Sequence, residues 1–273
     1  MAMKTALLLF FLIFISSLSY AKDTVSVHEL ISPVGGDQDY LLLTSDGRVY
    51  RLSTANQNLV AQVPRLLPGQ MIEIEGRGER TGNQVKSITV LPTRAPLVVK
   101  KLKDEEETPP EFTPTDVGTL DQVANYFNGL FRNFGRKQCY QRAHVWAHGL
   151  WTDYQIKSQK ILILYTRAYI RHFAWGWWFH IAPYLMAQNQ EWVIDATFTE
   201  KPVTTEDWAK QFGKIPCQVI NNYQTFEEKT NEVVCLLRKV PMYYYQPLNI
   251  REMDLEHEYQ SDWDPWSLRH MHR

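Results

Sequence analysis

Cys139, His180 and Asp195 stand in the order and chemical types that covalent acyl chemistry requires. A thiolate nucleophile needs an imidazole to hold its proton and later hand it to a leaving amine. The imidazole in turn needs a carboxylate to fix its tautomer and stabilise its charged form. Each residue also has a non-catalytic reading: a small core thiol, a hydrogen-bonded core histidine, and an aspartate that starts a turn at a strand end.

The elements around these residues decide whether they can meet. Counting from Cys139, the residues Ala143, Trp146, Ala147 and Leu150 fall on one helical face, which puts the thiol in the first turn of a helix. There the unpaired N–H groups and the macrodipole favour thiolate and can receive an oxyanion. A preceding helix is expected to open at the capping box Thr119-x-x-Gln122, with Leu120, Val123, Ala124, Phe127, Leu130 and Phe131 at helical spacing and Gly135 as its stop. Downstream, residues 161–165 begin a β region, and residues 175–185 and 191–197 read as a hairpin about Ala187-Gln188-Asn189-Gln190. Period-two alternation puts Trp178, His180 and Ala182 on one face. If Met186 and Glu191 close a four-residue loop, Asp195 lies opposite Ala182; a two-residue loop would set it opposite His180. Either even loop brings carboxylate and imidazole to one face, whereas an odd loop without a bulge would separate them.

These residues resemble a known family. Cys139-Tyr140-Gln141-Arg142-Ala143-His144, Trp175-Gly176-Trp177-Trp178-Phe179-His180-Ile181-Ala182-Pro183, and Trp192-Val193-Ile194-Asp195-Ala196-Thr197 with Pro202-Val203-Thr204 and Trp208 look like the bacterial protein-glutaminases. A weaker echo falls at Tyr243-Tyr244-Tyr245-Gln246-Pro247. The resemblance implies an α+β fold with a papain/transglutaminase-like core, and hydrolysis of the γ-carboxamide of protein-bound glutamine through a thioester. It makes Cys139 the nucleophile, His180 the acid/base and Asp195 its orienting carboxylate, with no metal or organic cofactor. Family members are made as secreted precursors whose pro-region covers the site. This chain departs from the pattern after the aspartate, where Ala196-Thr197 replaces the family's usual Pro-Ser, and its histidine strand is rich in tryptophan; both bear on substrate preference.

Upstream, Met1 to Ala21 carries Lys4, an apolar run from Ala6 to Ile15 and small residues at Ser19 and Ala21, the pattern of a cleaved export signal. The apolar run is shorter than the roughly 18 residues of a membrane span. The expected location is therefore secreted or periplasmic, with no membrane contact after signal removal. Residues 22–94 read as a small all-β barrel, OB-like or SH3-like, with strands at 24–31, 40–44, 48–52, 58–63, 71–75 and 84–91. Asp46-Gly47 marks a tight hairpin. The lone His28 reads as a half-exposed strand residue. Residues 95–116 hold Lys100-Lys101-Leu102-Lys103, Asp104-Glu105-Glu106-Glu107 and Pro109-Pro110, an acidic, Pro-rich linker and a natural place for proteolysis. Residues 117–273 form the catalytic domain, and the β domain occupies the place of a pro-region able to inhibit it intramolecularly.

Composition limits the alternatives. The chain has 273 residues, 29 Lys plus Arg against 30 Asp plus Glu, and three cysteines. The near-neutral charge argues against a nucleic-acid partner, and the cysteine count against a disulfide-dense miniprotein or four-cysteine zinc site. With Cys139 kept unpaired, Cys217 and Cys235 can form a bridge; two reduced core thiols are the other option. His144 and His148, four apart on the Cys139 helix, could bind a metal from one face, but no third ligand is evident from spacing. The acidic tail with Trp263 and Trp266 reads as a solvated segment. Three other functions compete with deamidation of glutamine-bearing proteins or peptides. They are transglutaminase chemistry, in which an amine takes the acyl group, cysteine peptidase chemistry, and a binding module with no reactive thiol.

Overall fold

The period-two runs of the first third become strands. The computed structural model describes residues 22–77, 83–94, 114–132 and 139–242. Strands β1 (Lys22–Ile31), β2 (Asp39–Thr44), β3 (Val49–Ser53), β4 (Gln70–Arg77) and β5 (Asn83–Arg94) close a barrel in the order β1-β2-β3-β5-β4. One long strand, β1, serves two neighbours, pairing its first half with β4 and its second with β2. The register slips between Val27 and Glu29, so His28 sits in a bulge, a device that re-aims a side chain out of the ladder. Closure comes from the parallel contact of β3 with β5. Val25, Val27, Leu42, Leu52, Leu59, Ile72 and Ile74 fill the interior.

The expected strand at 58–63 is instead helix α1 (Gln57–Val60), followed by a 3-10 turn at Val63–Arg65. Asn56 decides this locally: its side chain accepts from the backbone N–H groups of Asn58 and Leu59, and Leu59 then plugs the barrel.

Beyond the barrel come α2 (Leu120–Gly129), α3 (Cys139–Tyr154), β6 (Gln159–Tyr165), α4 (Arg167–His172), β7 (Phe179–Ala187), β8 (Gln190–Val193), β9 (Val203–Thr204), α5 (Thr205–Phe212), β10 (Gln218–Val219), α6 (Tyr223–Glu228) and β11 (Cys235–Pro241). Among the described residues they supply a six-stranded sheet ordered β10-β11-β6-β7-β8-β9, so the architecture is α+β. The Thr119–Gln122 capping box opens α2 as expected. The helix stops at Gly129, earlier than Gly135, which lies outside the described residues. Leu130 turns extended and becomes buried, and Phe131 presents its carbonyl to Trp146 Nε1 at 2.7 Å. The export signal, nearly all of the linker, the Tyr243 motif and the acidic tail also lie outside the described residues, so the domain limits that depend on them rest on sequence.

The barrel docks on the second unit through its β2–β3 turn. Val49 N donates to Gly176 O at 2.9 Å, Trp178 N donates to Gly47 O at 2.8 Å, and Trp178 Nε1 donates to Thr44 O at 2.7 Å. Residues 175–178, expected to belong to the histidine strand, are drawn off by this pairing, and β7 starts only at Phe179. Gly47 is required at the tip: its φ is +91°, and a Cβ there would lie 3.0 Å from both the ring and the carbonyl oxygen of Phe179. The bulged His28 stacks on Trp178 with centroids 4.3 Å apart. Around this apolar centre Arg167 pairs with Glu29, and Arg171 pairs with Asp37 and donates to Ser32 O at 2.8 Å. Leu41, Leu43 and Val49 of the barrel join the same core as Cys139, Ile163 and Phe179.

Candidate active site

Cys139 is the first residue of α3, and the buried residues that follow it are Ala143, His144, Trp146, Ala147 and Leu150. The helical face read from the sequence is thus the face that packs inward. His180 enters as the second residue of β7, held between Ile163 of β6 and the barrel-contacting Phe179. Asp195 follows the end of β8. The hairpin register pairs Met186 with Glu191, the alignment that places Asp195 opposite Ala182. The loop is tighter than expected, because Ala187 and Gln190 also pair and Gln188 and Asn189 turn the chain with φ of 56° and 60°. Such paired positive φ values match the right-handed twist of the strands.

The result is a diagonal contact: His180 Nε2 lies 2.7 Å from Asp195 Oδ2. The Cys139 thiol lies close enough to the ring to favour its charged form. Asp195 is fixed from behind, since Trp208 Nε1 of α5 donates to the same Oδ2 at 3.1 Å. Its own carbonyl accepts from the N–H groups of Phe198 and Thr199, both at 2.9 Å. The aspartate therefore starts a turn and holds the imidazole at once. Cys139, His180 and Asp195 are 2%, 3% and 1% exposed, so the trio is closed from solvent with the barrel in place.

Burial disfavours a charged imidazole here, but the Asp195 carboxylate, through charge and hydrogen bond, and the Cys139 thiol outweigh it and raise the His180 pKa to about 9. The ring is packed by Trp208 at 5.5 Å, Phe212 at 4.5 Å and the edge of Phe198 at 4.9 Å between centroids. On the other flank Arg132 bridges the segment before Cys139 to the one after Asp195, donating to Ala196 O at 3.2 Å and Phe127 O at 3.3 Å.

Several of these contacts escape sequence reasoning. Trp208 was visible as a motif residue, and its four-residue spacing from Phe212 after the Thr204 cap signals one buried helix face; its bond to Asp195 needs the tertiary fold. The docking of the Asp46-Gly47 turn had no signal beyond the turn itself.

His144 and His148 do not converge on a metal site. His144 Nδ1 lies 3.1 Å from the fully buried Lys160 Nζ. Burial, then the charges of Lys160 and His148, hold its pKa well below the ordinary value. Among the described residues no group of three or more His, Cys, Asp or Glu side chains is arranged to hold a metal ion. A largely apolar cavity of about 580 Å³ lies beside α5, lined by Ile161, Ala209, Ile215, Leu237 and Lys239, and contains none of the trio. Cys217 and Cys235 are joined as a disulfide and Cys139 is the free thiol. The bridge ties the loop after α5 to the start of β11.

A thiol at a helix start, facing an imidazole held by a buried carboxylate, is the arrangement that acyl-transfer chemistry uses. Residues 123–212 match the family described as Gln_deamidase_2, Glutaminase, and this stretch contains all three residues. The match is confined to this stretch, which carries the cysteine, histidine and aspartate motifs. Among solved structures it is similar to pro-protein-glutaminase at 11% identity and to a mutant of that protein at 12%, each with a TM-score of 0.47, covering 82% of this chain and 83% of the other. No curated protein matches the sequence.

Proposed function

We propose that the protein is an exported, cysteine-dependent protein-glutamine deamidase with a papain/transglutaminase-like core. The observation that carries this reading is the 2.7 Å contact of His180 Nε2 with Asp195 Oδ2, in a ring whose charge is also favoured by the Cys139 thiol that begins α3. The Cys139 thiolate attacks the carbonyl carbon of the γ-carboxamide of a protein-bound glutamine, and the oxyanion faces backbone N–H groups of the helix start. The C–N bond breaks as imidazolium His180 gives its proton to the departing nitrogen, releasing ammonia and a thioester. Neutral His180 then takes a proton from water, the resulting hydroxide equivalent adds to the thioester, and glutamate leaves as the thiolate returns.

The barrel is the natural inhibitor of this site. Its Thr44–Val49 turn covers Phe179, the neighbour of the catalytic base, and it remains docked while the trio is closed. On this reading, cleavage within residues 95–113 permits opening, and a signal peptide ending at Ala21 delivers the precursor. Ammonia release from a glutamine-containing protein tests the assignment with three samples: intact chain, chain cut within 95–113, and Cys139→Ala. The cut chain should be fastest and the variant inactive. No ammonia from cut chain on several unfolded proteins would defeat the deamidase reading, and isopeptide formation with an added amine in place of hydrolysis to glutamate would reassign it as a transglutaminase.

A further inference from the structure

We propose that Phe198 sets substrate specificity, favouring peptides whose residue next to the reactive glutamine is apolar, above all aromatic. The inference rests on the deamidase reading of the same site. Of the rings that pack on His180, Trp208 is fully buried while Phe198 is 44% exposed. Its edge meets the imidazole at 4.9 Å and the ring of Phe212 at 5.4 Å. Arg142, one turn along α3 from Cys139, brings its guanidinium within 5.9 Å of the same ring. Phe198 thus spans the space between the nucleophile's helix and the catalytic imidazole. It is the exposed ring beside the catalytic pair that an approaching polypeptide would meet.

Single exposed phenylalanines are common and carry no meaning by themselves. The backbone of this one is fixed by its N–H, which donates to Asp195 O at 2.9 Å, and its ring packs on His180 and Phe212. A pre-ordered aromatic surface loses little entropy on contact. Phe198 follows directly on Ala196-Thr197, where this chain departs from the family's usual Pro-Ser. The wall is apolar and has a cation behind it, which disfavours lysine or arginine beside the glutamine.

The test uses the chain cut within 95–113 and blocked peptides that differ only in having Phe, Gly or Lys beside glutamine. The kcat/KM for ammonia release should be about tenfold higher for Phe than for Gly, the lower end of what a hydrophobic contact discriminates. The preference should lie in KM. In Phe198→Ala the ratio should fall to within about twofold of one, while Phe198→Tyr retains it. A purely structural role would slow all peptides together and leave the ratio intact, which overturns the proposal. A second readout does not depend on turnover: protection of Cys139 from iodoacetamide by the same peptides. Should no peptide release ammonia, the deamidase reading fails, and the protection order still judges the specificity claim. Stronger protection by the Phe peptide, lost in Phe198→Ala, supports it, and equal or absent protection overturns it.

Discussion

His180 Nε2 and Asp195 Oδ2 are 2.7 Å apart although the two residues are not directly opposed in the hairpin. The aspartate reaches back diagonally from just beyond the end of β8, and Trp208 locks the oxygen it uses. The site therefore depends on the hairpin register and on α5 equally.

The raised His180 pKa fixes the direction of pH effects. The folded protein holds the proton up to about pH 9, against about 6.5 in the unfolded chain. The imidazolium's contribution to stability is thus complete below pH 6.5 and lost as pH rises through 9. On the deamidase reading, ammonia release needs the same proton and should decline above about pH 9. Asp195→Asn should shift that limb downward and cut kcat by on the order of 10³–10⁴; a pH–rate profile unchanged in this variant would remove Asp195 from the mechanism.

Trp208→Phe keeps the ring but deletes the donor to Asp195. A lost hydrogen bond to a buried carboxylate costs about 1–3 kcal/mol. Thermal denaturation should show that loss, and the rate of ammonia release should fall about tenfold through kcat. Unchanged kinetics in a destabilised protein would confine Trp208 to packing.

Gly47→Val tests the docked barrel. The substitution combines a strained φ of +91° with a Cβ 3.0 Å from Phe179. It should weaken docking and raise the rate of Cys139 alkylation in the uncut chain by at least severalfold. Labelling as slow as in the unsubstituted protein would show that the turn does not control access.

Replacing Cys217 and Cys235 by alanine should lower stability by about 3 kcal/mol, the chain-entropy estimate for a loop of this size. Denaturant unfolding reads the loss. Mass spectrometry of the unreduced protein should find these two cysteines bridged and Cys139 alone alkylated after denaturation.

Much of the site was legible because its signals are local. Helical spacing after Cys139 and alternation through His180 depend on which residues can face a core, and the sequence records that directly. The hairpin register was also recoverable, since only an even offset keeps His180 and Asp195 on one face. What escaped depends on competition between distant segments. Residues 175–178 have strand character, but the barrel turn takes their backbone pairing. Residues 58–63 fit either period, and the Asn56 cap decides for helix. His28 looked like an ordinary strand residue until the Val27–Glu29 bulge turned it onto Trp178.

Leu41, Leu43 and Val49 share one core with Ile163, Phe179 and Leu236. The two halves should consequently melt in a single cooperative transition. On the precursor reading, a cut in the connecting segment permits departure, and an unfolded protein that competes for the apolar surface beneath the turn completes it. A glutamine-bearing protein that binds there would act as both substrate and trigger.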